Sequence, residues 1–182
     1  MILPIHLYGH SALRQKAVEI NTDYPQLDKL ISDMFETMYK ADGIGLAAPQ
    51  VGKSIRLIIV DTSTLDHDNP ELKDFKRVII NPKVSNNTND TIIIEEGCLS
   101  IPGIRENVQR YSDIKIDYYD ENFEKKSENL TGFKAVVVQH ELDHLQGKLF
   151  TDKLSGLKKH FVNKSLNSIK KGKISPFYKT IV

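Results

Sequence analysis

The feature that most constrains this chain is a pair of histidines, His140 and His144, inside a run that predicts one helix over residues 132–147. Because an α-helix turns about 100° per residue, side chains four positions apart lie on one face, one turn above the other. The two imidazoles can therefore bind one metal ion, and Glu141 can reach a water molecule beside it. This His-Glu-x-x-His pattern predicts metal-assisted hydrolysis and leaves the substrate open.

The length and composition are typical of one globular domain. The chain has 182 residues, 40% hydrophobic and 27% charged, and we expect a single catalytic domain over residues 1–182. Cys98 is the only cysteine, which excludes an internal disulfide and favours a reducing, cytoplasmic location. We expect no signal peptide and no membrane contact, because no apolar run approaches the length of a membrane span.

Charge is distributed unevenly along the chain. The net charge is +1, and residues 151–182 hold eight lysines and one acid, Asp152. This segment therefore carries +7 and leaves −6 for residues 1–150. A basic helix on an acidic body is either a solvated face or a docking surface for an anionic partner. The expected apolar face of this C-terminal helix comprises Leu154, Leu157, Phe161, Val162, Leu166 and Ile169.

The remaining periodicity predicts an α+β fold, with mostly antiparallel sheets packed around the His-Glu helix and an amphipathic helix at each end. A short helical turn is predicted at residues 11–14, with Ser11 as N-cap. Residues 62–76 are expected to form a polar loop, and residues 173–182 an extended tail. Pro82 requires a sheet edge or a bend in its strand. The predicted helices and strands are residues 25–43, 55–61, 77–85, 91–95, 111–119, a strand ending near 130, and 132–147.

A catalytic metal site of this kind needs a third protein ligand and one open position. The ligand positions that common metallopeptidases use downstream of His144 are not filled: Phe150 stands where one pattern needs histidine, and no glutamate follows, Asp152 being the only acid. The one downstream histidine, His160, is expected on the exposed side of the last helix. Upstream, Cys98 offers a thiolate that suits zinc or ferrous iron, and Gly97 leaves room for close approach. The weaker alternatives, which have no motif around them, are His6, His10 and His67.

Three segments together resemble the peptide deformylase family. They are GIGLAAPQ at residues 43–50, EGCLS at 96–100 and QHELDH at 139–144. The resemblance implies hydrolytic removal of the formyl group from the formyl-methionine of newly synthesised polypeptides, with release of formate. It also implies one divalent metal ion, Fe²⁺ in the cell, which Zn²⁺, Ni²⁺ or Co²⁺ can replace.

The resemblance also implies roles for individual residues. The implied metal ligands are Cys98, His140 and His144, with Glu141 as proton carrier. The implied oxyanion partners are the Gln50 side chain and the Leu99 backbone N–H. The implied substrate-binding residues are Ile44, Gly45, Glu96, Gly97 and Arg105.

Helix geometry adds a pocket for the methionine side chain. Phe133, Val136 and Val137 share the metal-facing side of the helix, and we expect Ile44 opposite them. We expect Asp143 to pair with Arg105 or Arg110 and to hold the site in shape.

Two rival interpretations use the same helix. One is a zinc-type metallopeptidase or amidase, and the other is a non-enzymatic module with a closed, four-ligand structural metal site. The expected partners are formylated nascent polypeptides and, through residues 151–182, the ribosome. We expect a monomer that binds no DNA.

Overall fold

Helices and mostly antiparallel strands make up the computed structural model, which describes residues 1–65, 70–86 and 89–182. The helices are α1 (Leu27–Lys40), α2 (Pro70–Lys73), α3 (Gly132–Leu145) and α4 (Gly156–Lys170). The strands are β1 (Ile5–His6), β2 (Gly45–Ala47), β3 (Leu57–Asp61), β4 (Lys76–Asn86), β5 (Thr91–Cys98), β6 (Ile101–Tyr111), β7 (Asp113–Tyr119), β8 (Lys125–Thr131) and β9 (Thr180–Ile181). The predicted α+β class is confirmed. None of the helices within these ranges is long and apolar enough to span a bilayer.

Five antiparallel strands form the main sheet, in the order β2-β3-β4-β7-β8. The pairing of β4 with β7 shifts register between Ile80 and Lys83, on either side of Pro82. Proline has no N–H to donate to a neighbouring strand, so an interior strand must bend there. The bend predicted at Pro82 is therefore confirmed, although β4 lies inside the sheet.

Helix α3 is the central element and packs on this sheet. Its residues Ala135, Val138 and Leu145 are fully buried in one apolar cluster with side chains of β3 and β7. Burying an aliphatic side chain contributes roughly 1.5–3 kcal/mol, so these contacts fix which face of α3 meets the sheet. The other side of the helix, with His140 and Glu141, is left to meet β5.

Strands β5 and β6 form a separate hairpin with an irregular end. Gly97 pairs with Arg105, whereas the next residue, Cys98, pairs with Ile101. Such a register shift bends the strand and re-orients the side chain beside it. Strand β6 was not predicted from the sequence, because Pro102 and the charged residues after it interrupt the alternation of apolar and polar residues.

Helix α4 exposes two side chains that were expected on its apolar face. Leu157 is 68% and Phe161 is 70% exposed, so the prediction for these two residues is wrong. Only the stripe of Val162, Leu166 and Ile169 is buried, because this stripe alone packs with the apolar residues of β6.

Two local predictions also need correction. The N-cap of the 3-10 turn Ser11–Arg14 is His10 and not Ser11, because His10 Nδ1 accepts a hydrogen bond from the Ala12 N–H at 3.2 Å. The expected loop at 62–76 contains the short helix α2 and the first residue of β4. The tail returns to the body of the protein, where β9 pairs in parallel with β1.

Candidate metal centre

The end of β5 and one face of α3 bring three potential metal ligands together. One ligand atom each from Cys98, His140 and His144 lies within 4.8 Å of the others. Cys98 Sγ is 3.3 Å from His144 Nε2, and both histidines are buried. Within the described ranges this is the only group of three or more such side chains that could hold a metal ion.

The alternative histidines lie apart from this cluster. His6 and His10 contact each other, with 3.0 Å between their Nδ1 atoms. His67 lies outside the described residues. The sequence analysis chose Cys98 over these histidines as the third ligand, and the position of the Cys98 side chain agrees with that choice.

His140 is oriented by a carboxylate behind it. Its Nδ1 lies 2.8 Å from Glu96 Oε2, which fixes the tautomer with the proton on Nδ1 and leaves Nε2 free to act as a ligand. Arg110 donates to both oxygens of Glu96, at 2.6 and 2.8 Å, and to Asp143 at 2.5 Å. Arg110 is thus the partner of Asp143, and not Arg105.

This arrangement gives Glu96 a role that the sequence did not predict. Both of its carboxylate oxygens are engaged by Arg110 and His140, so its charge supports a ligand. Burial alone would raise the pKa of Glu96, but these hydrogen bonds lower it to about 2. The glutamate therefore stays ionised at neutral pH and can hold the imidazole.

The pKa values of three buried groups on α3, His140, Glu141 and His144, are also shifted. Burial by itself lowers the pKa of His140, but hydrogen bonds with Cys98 and Glu96 raise it well above its usual value. Burial and the charge of His140 lower the pKa of His144. Burial raises the pKa of Glu141 to about 7. A cation among these groups would keep both imidazoles neutral and would favour the Glu141 carboxylate.

Glu141 lies against the backbone of β2. A Cβ atom added to Gly45 would stand 2.5 Å from Glu141 Oε1, so only glycine leaves room for this carboxylate. Its other oxygen, Oε2, is buried with no hydrogen-bond partner among the described residues. A buried carboxylate oxygen without a partner is costly unless a water, proton or ligand satisfies it.

Gln50 presents its amide nitrogen to the same site. Its Oε1 accepts the Ala47 N–H at 2.8 Å, which fixes the orientation of the amide. Its Nε2 then donates to Ser100 Oγ at 3.1 Å and lies 3.6 Å from Cys98 Sγ. Ser100, which is fully buried, was not among the predicted site residues, although it ends the EGCLS segment.

A cavity of about 710 Å³ is lined by two of the three ligands, Cys98 and His140. It is lined by many of the predicted site residues: Ile44, Gly45, Gln50, Glu96, Gly97, Leu99, Arg105, Val136, Val137, His140 and Glu141. Phe133 does not line it. That residue packs against the apolar cluster under the sheet, because it lies two turns before His140 and beyond the cavity. Three residues of the tail, 176–178, line the cavity although no sequence motif marked them.

The donor set fits a divalent transition metal. One thiolate and two imidazoles are the ligand types that zinc and iron prefer, and three protein ligands leave a position open. Glu141, whose Oε2 has no hydrogen-bond partner among the described residues, lines the cavity together with Cys98 and His140. Such a site is typical of catalytic rather than structural metal centres.

Comparison with known proteins gives a consistent family. The model of the polypeptide deformylase family matches residues 2–160. A peptide deformylase of Christiangramia forsetii is 48% identical over 98% of this chain and 95% of its own length. One from Chlorobaculum tepidum is 44% identical over 98% of this chain and 93% of its own length.

Solved structures agree with these relatives. The crystal structure of a peptide deformylase from Legionella pneumophila aligns with a TM-score of 0.82 at 37% identity, covering 95% of this chain and 98% of that chain. The peptide deformylase from Thermus thermophilus aligns with a TM-score of 0.83 at 36% identity, covering 94% of this chain and 99% of that chain.

Proposed function

The chain belongs to the polypeptide deformylase family and hydrolyses the N-terminal formyl group of newly made polypeptides, and on this premise we propose that Cys98, His140 and His144 hold its catalytic metal ion. The observation that carries the proposal is the convergence of these three ligand atoms within 4.8 Å of one another, beside a cavity that Cys98 and His140 line. When bound there, a divalent cation supplies a Lewis acid that activates water and polarises the formyl carbonyl.

The ion itself is proposed as Fe²⁺, with Zn²⁺, Ni²⁺ and Co²⁺ as working substitutes. The mixed thiolate and imidazole set accommodates all four ions, because none of them requires oxygen ligands. The preference for iron comes from the family resemblance. Metal analysis of protein purified without oxygen tests it.

Glu141 is proposed as the proton carrier. It takes a proton from the water that attacks the formyl carbon and delivers it to the amine nitrogen as the C–N bond breaks. The products are formate and a polypeptide with a free amino terminus. The unpartnered Oε2 of Glu141, beside the ligands and at the cavity, supports this role.

Gln50 and the Leu99 backbone N–H are proposed to stabilise the negative charge that develops on the formyl oxygen. The Gln50 amide is held with its nitrogen beside Cys98, and Leu99 follows that ligand in the chain. Donors that are fixed before the reaction stabilise the transition state without reorganising.

The methionine side chain is proposed to lie between α3 and β2. Val136 and Val137 of α3 and Ile44 line the cavity and offer an apolar surface next to the ligands. Gly45, Gly97 and the exposed side chain of Arg105 border the same cavity and are proposed to contact the substrate. We propose one catalytic domain over residues 1–182, because the cavity walls extend from Ala41 to Tyr178.

One experiment separates this function from that of a metallopeptidase. Formate release from formyl-Met-Ala-Ser is measured beside cleavage of an unformylated peptide, using anaerobically purified protein. Formate release without internal cleavage supports a deformylase, whereas internal cleavage without formate release contradicts it. A single chain is expected to suffice, since all three ligands and Glu141 belong to it.

The ribosome is proposed as a partner, contacted through α4, and the cytoplasm as the location. His160, Lys164, Lys171 and Lys173 line one shallow surface pocket on and after this helix. Clustered lysines favour RNA phosphates, and such binding weakens with salt. The double variant Lys164→Glu/Lys171→Glu should lose low-salt cosedimentation with ribosomes, whereas the matched control Lys16→Glu/Lys53→Glu should retain it. Equal binding of both variants would contradict the proposal.

A further inference from the structure

The C-terminal tail returns to the cavity beside the candidate metal centre. Pro176, Phe177 and Tyr178 line this cavity together with Leu99, the residue after the ligand Cys98. The matching family model ends at residue 160, so this wall is built by residues beyond the part of the chain that the family model covers.

Two sets of contacts hold the tail in this position. The Tyr178 hydroxyl donates to the Leu99 carbonyl at 2.7 Å. Just beyond it, the Lys179 carbonyl accepts the Ile5 N–H at 2.9 Å, and the Ile181 carbonyl accepts the Leu7 N–H at 2.7 Å. The segment at the cavity is therefore fastened beside β5 by a side chain and to β1 by strand pairing.

Phe177 stands out on this anchored segment because it is 79% exposed. Its ring meets that of Tyr178 edge-on, with 5.3 Å between the ring centroids. Tyr178 itself packs against the apolar cluster of α1. An anchored aromatic ring that is left open at a cavity wall offers apolar area for a bound peptide at little entropic cost.

The residues that line the cavity come from several elements. Val136 and Val137 lie beside the metal ligands on α3, where the formyl-methionine must sit to react. The tail residues Phe177 and Tyr178 line the same cavity, and Tyr178 packs against the α1 cluster and donates to the Leu99 carbonyl. A peptide that continues from the methionine along this cavity can therefore contact the tail.

We infer that Phe177 is a specificity-determining residue, which contacts the side chains that follow formyl-methionine and favours apolar ones. This inference rests on the proposed function of the site. Since the ring takes no part in the chemistry, it should affect substrate binding and leave the chemical step alone.

The test compares two formylated tripeptides of equal length, formyl-Met-Leu-Leu and formyl-Met-Gly-Gly. In Phe177→Ala we expect KM for the leucine peptide to rise about fivefold, because apolar contact area is lost, with kcat unchanged. KM for the glycine peptide should stay as in the unmodified protein. Phe177→Leu keeps apolar bulk and should restore most of the affinity for the leucine peptide.

Phe161→Ala is the matched control, since Phe161 is 70% exposed on α4 and does not line the cavity. It should leave both KM values unchanged. Equal KM values in Phe177→Ala and the unmodified protein, or an equal rise for both peptides, would overturn the inference while formate release still upholds the proposed function. Absence of formate release from the unmodified protein would overturn both.

Discussion

Glu96 holds the imidazole of His140 through a 2.8 Å contact between its Oε2 and the ring Nδ1. Arg110 donates to both oxygens of the same carboxylate, and the side chains of Arg110 and Glu96 are almost fully buried. Glu96, which the sequence predicts at the substrate, is thus also in a position to orient a metal ligand. Carboxylates in this position fix the tautomer of a ligating histidine and strengthen it as a ligand.

Replacing Glu96 by glutamine should weaken metal binding. We expect Glu96→Gln to lower metal affinity roughly 10–100-fold, because His140 loses its charged partner. The free energy of unfolding should also fall by about 1.5–3 kcal/mol, because Arg110 loses one of its two carboxylate partners and keeps Asp143. Chelator competition below the unfolding transition measures the affinity. Glu95→Gln, at the exposed neighbouring residue, is the control, and equal affinity in both variants would contradict the role of Glu96.

Gly45→Ala should impair the proton carrier and leave the ligands in place. The added methyl group would stand 2.5 Å from Glu141 Oε1, so the carboxylate must move. Displacing a catalytic group by about 1 Å can cost about 10²-fold in rate, and we expect a loss of kcat of this order with normal metal content. Gly156→Ala is a matched control, because nothing lies within 4 Å of the added atom there. A fully active Gly45→Ala protein would exclude this packing as a constraint on Glu141.

Glu128 should make stability depend on pH. It accepts hydrogen bonds from Arg77 at 3.0 and 3.1 Å and from the Tyr118 hydroxyl. Burial alone would raise the pKa of Glu128, but these partners lower it below its ordinary value of 4.5. A lowered folded-state pKa gives stabilisation that is present above the unfolded-state pKa and lost as the pH falls through the folded-state pKa.

Glu128→Gln should therefore lower the free energy of unfolding by about 1 kcal/mol at pH 7. The difference from the unmodified protein should shrink as the pH falls below 4.5. Urea unfolding over a pH series measures it, with Glu121→Gln at an exposed residue as the control. A difference that stays constant with pH would show that Glu128 acts through its shape and not its charge.

The features predicted well from the sequence are governed by short spacings. His140 and His144 are four residues apart on a helix, and the same helical geometry places Val136 and Val137 at the cavity. Leu157 and Phe161 have the right spacing for the buried stripe of α4, yet they lie on its open side. Spacing along a helix identifies which residues share a face. It does not tell how much of that face the neighbouring element covers.

The features that were missed depend on contacts between distant residues. Glu96 and Arg110 meet because β5 and β6 pair. The sequence of β6 has no clear alternation of apolar and polar residues, so this strand was not predicted. Tyr178 contacts Leu99 across 79 residues of sequence. No sequence motif around Arg110 or Tyr178 indicates its partner, because the register of the strands and the position of the tail are set by the packing of the whole fold.

The most direct test of the proposed site is Glu141→Gln, compared with the unmodified protein after purification without oxygen. Metal content per chain and the rate of formate release from formyl-Met-Ala-Ser are measured on the same samples. If Glu141 carries the proton and is not a ligand, both proteins hold the same amount of metal, and the variant loses at least about 10²-fold in turnover. Turnover that survives the substitution, or metal lost together with it, would contradict the assignment.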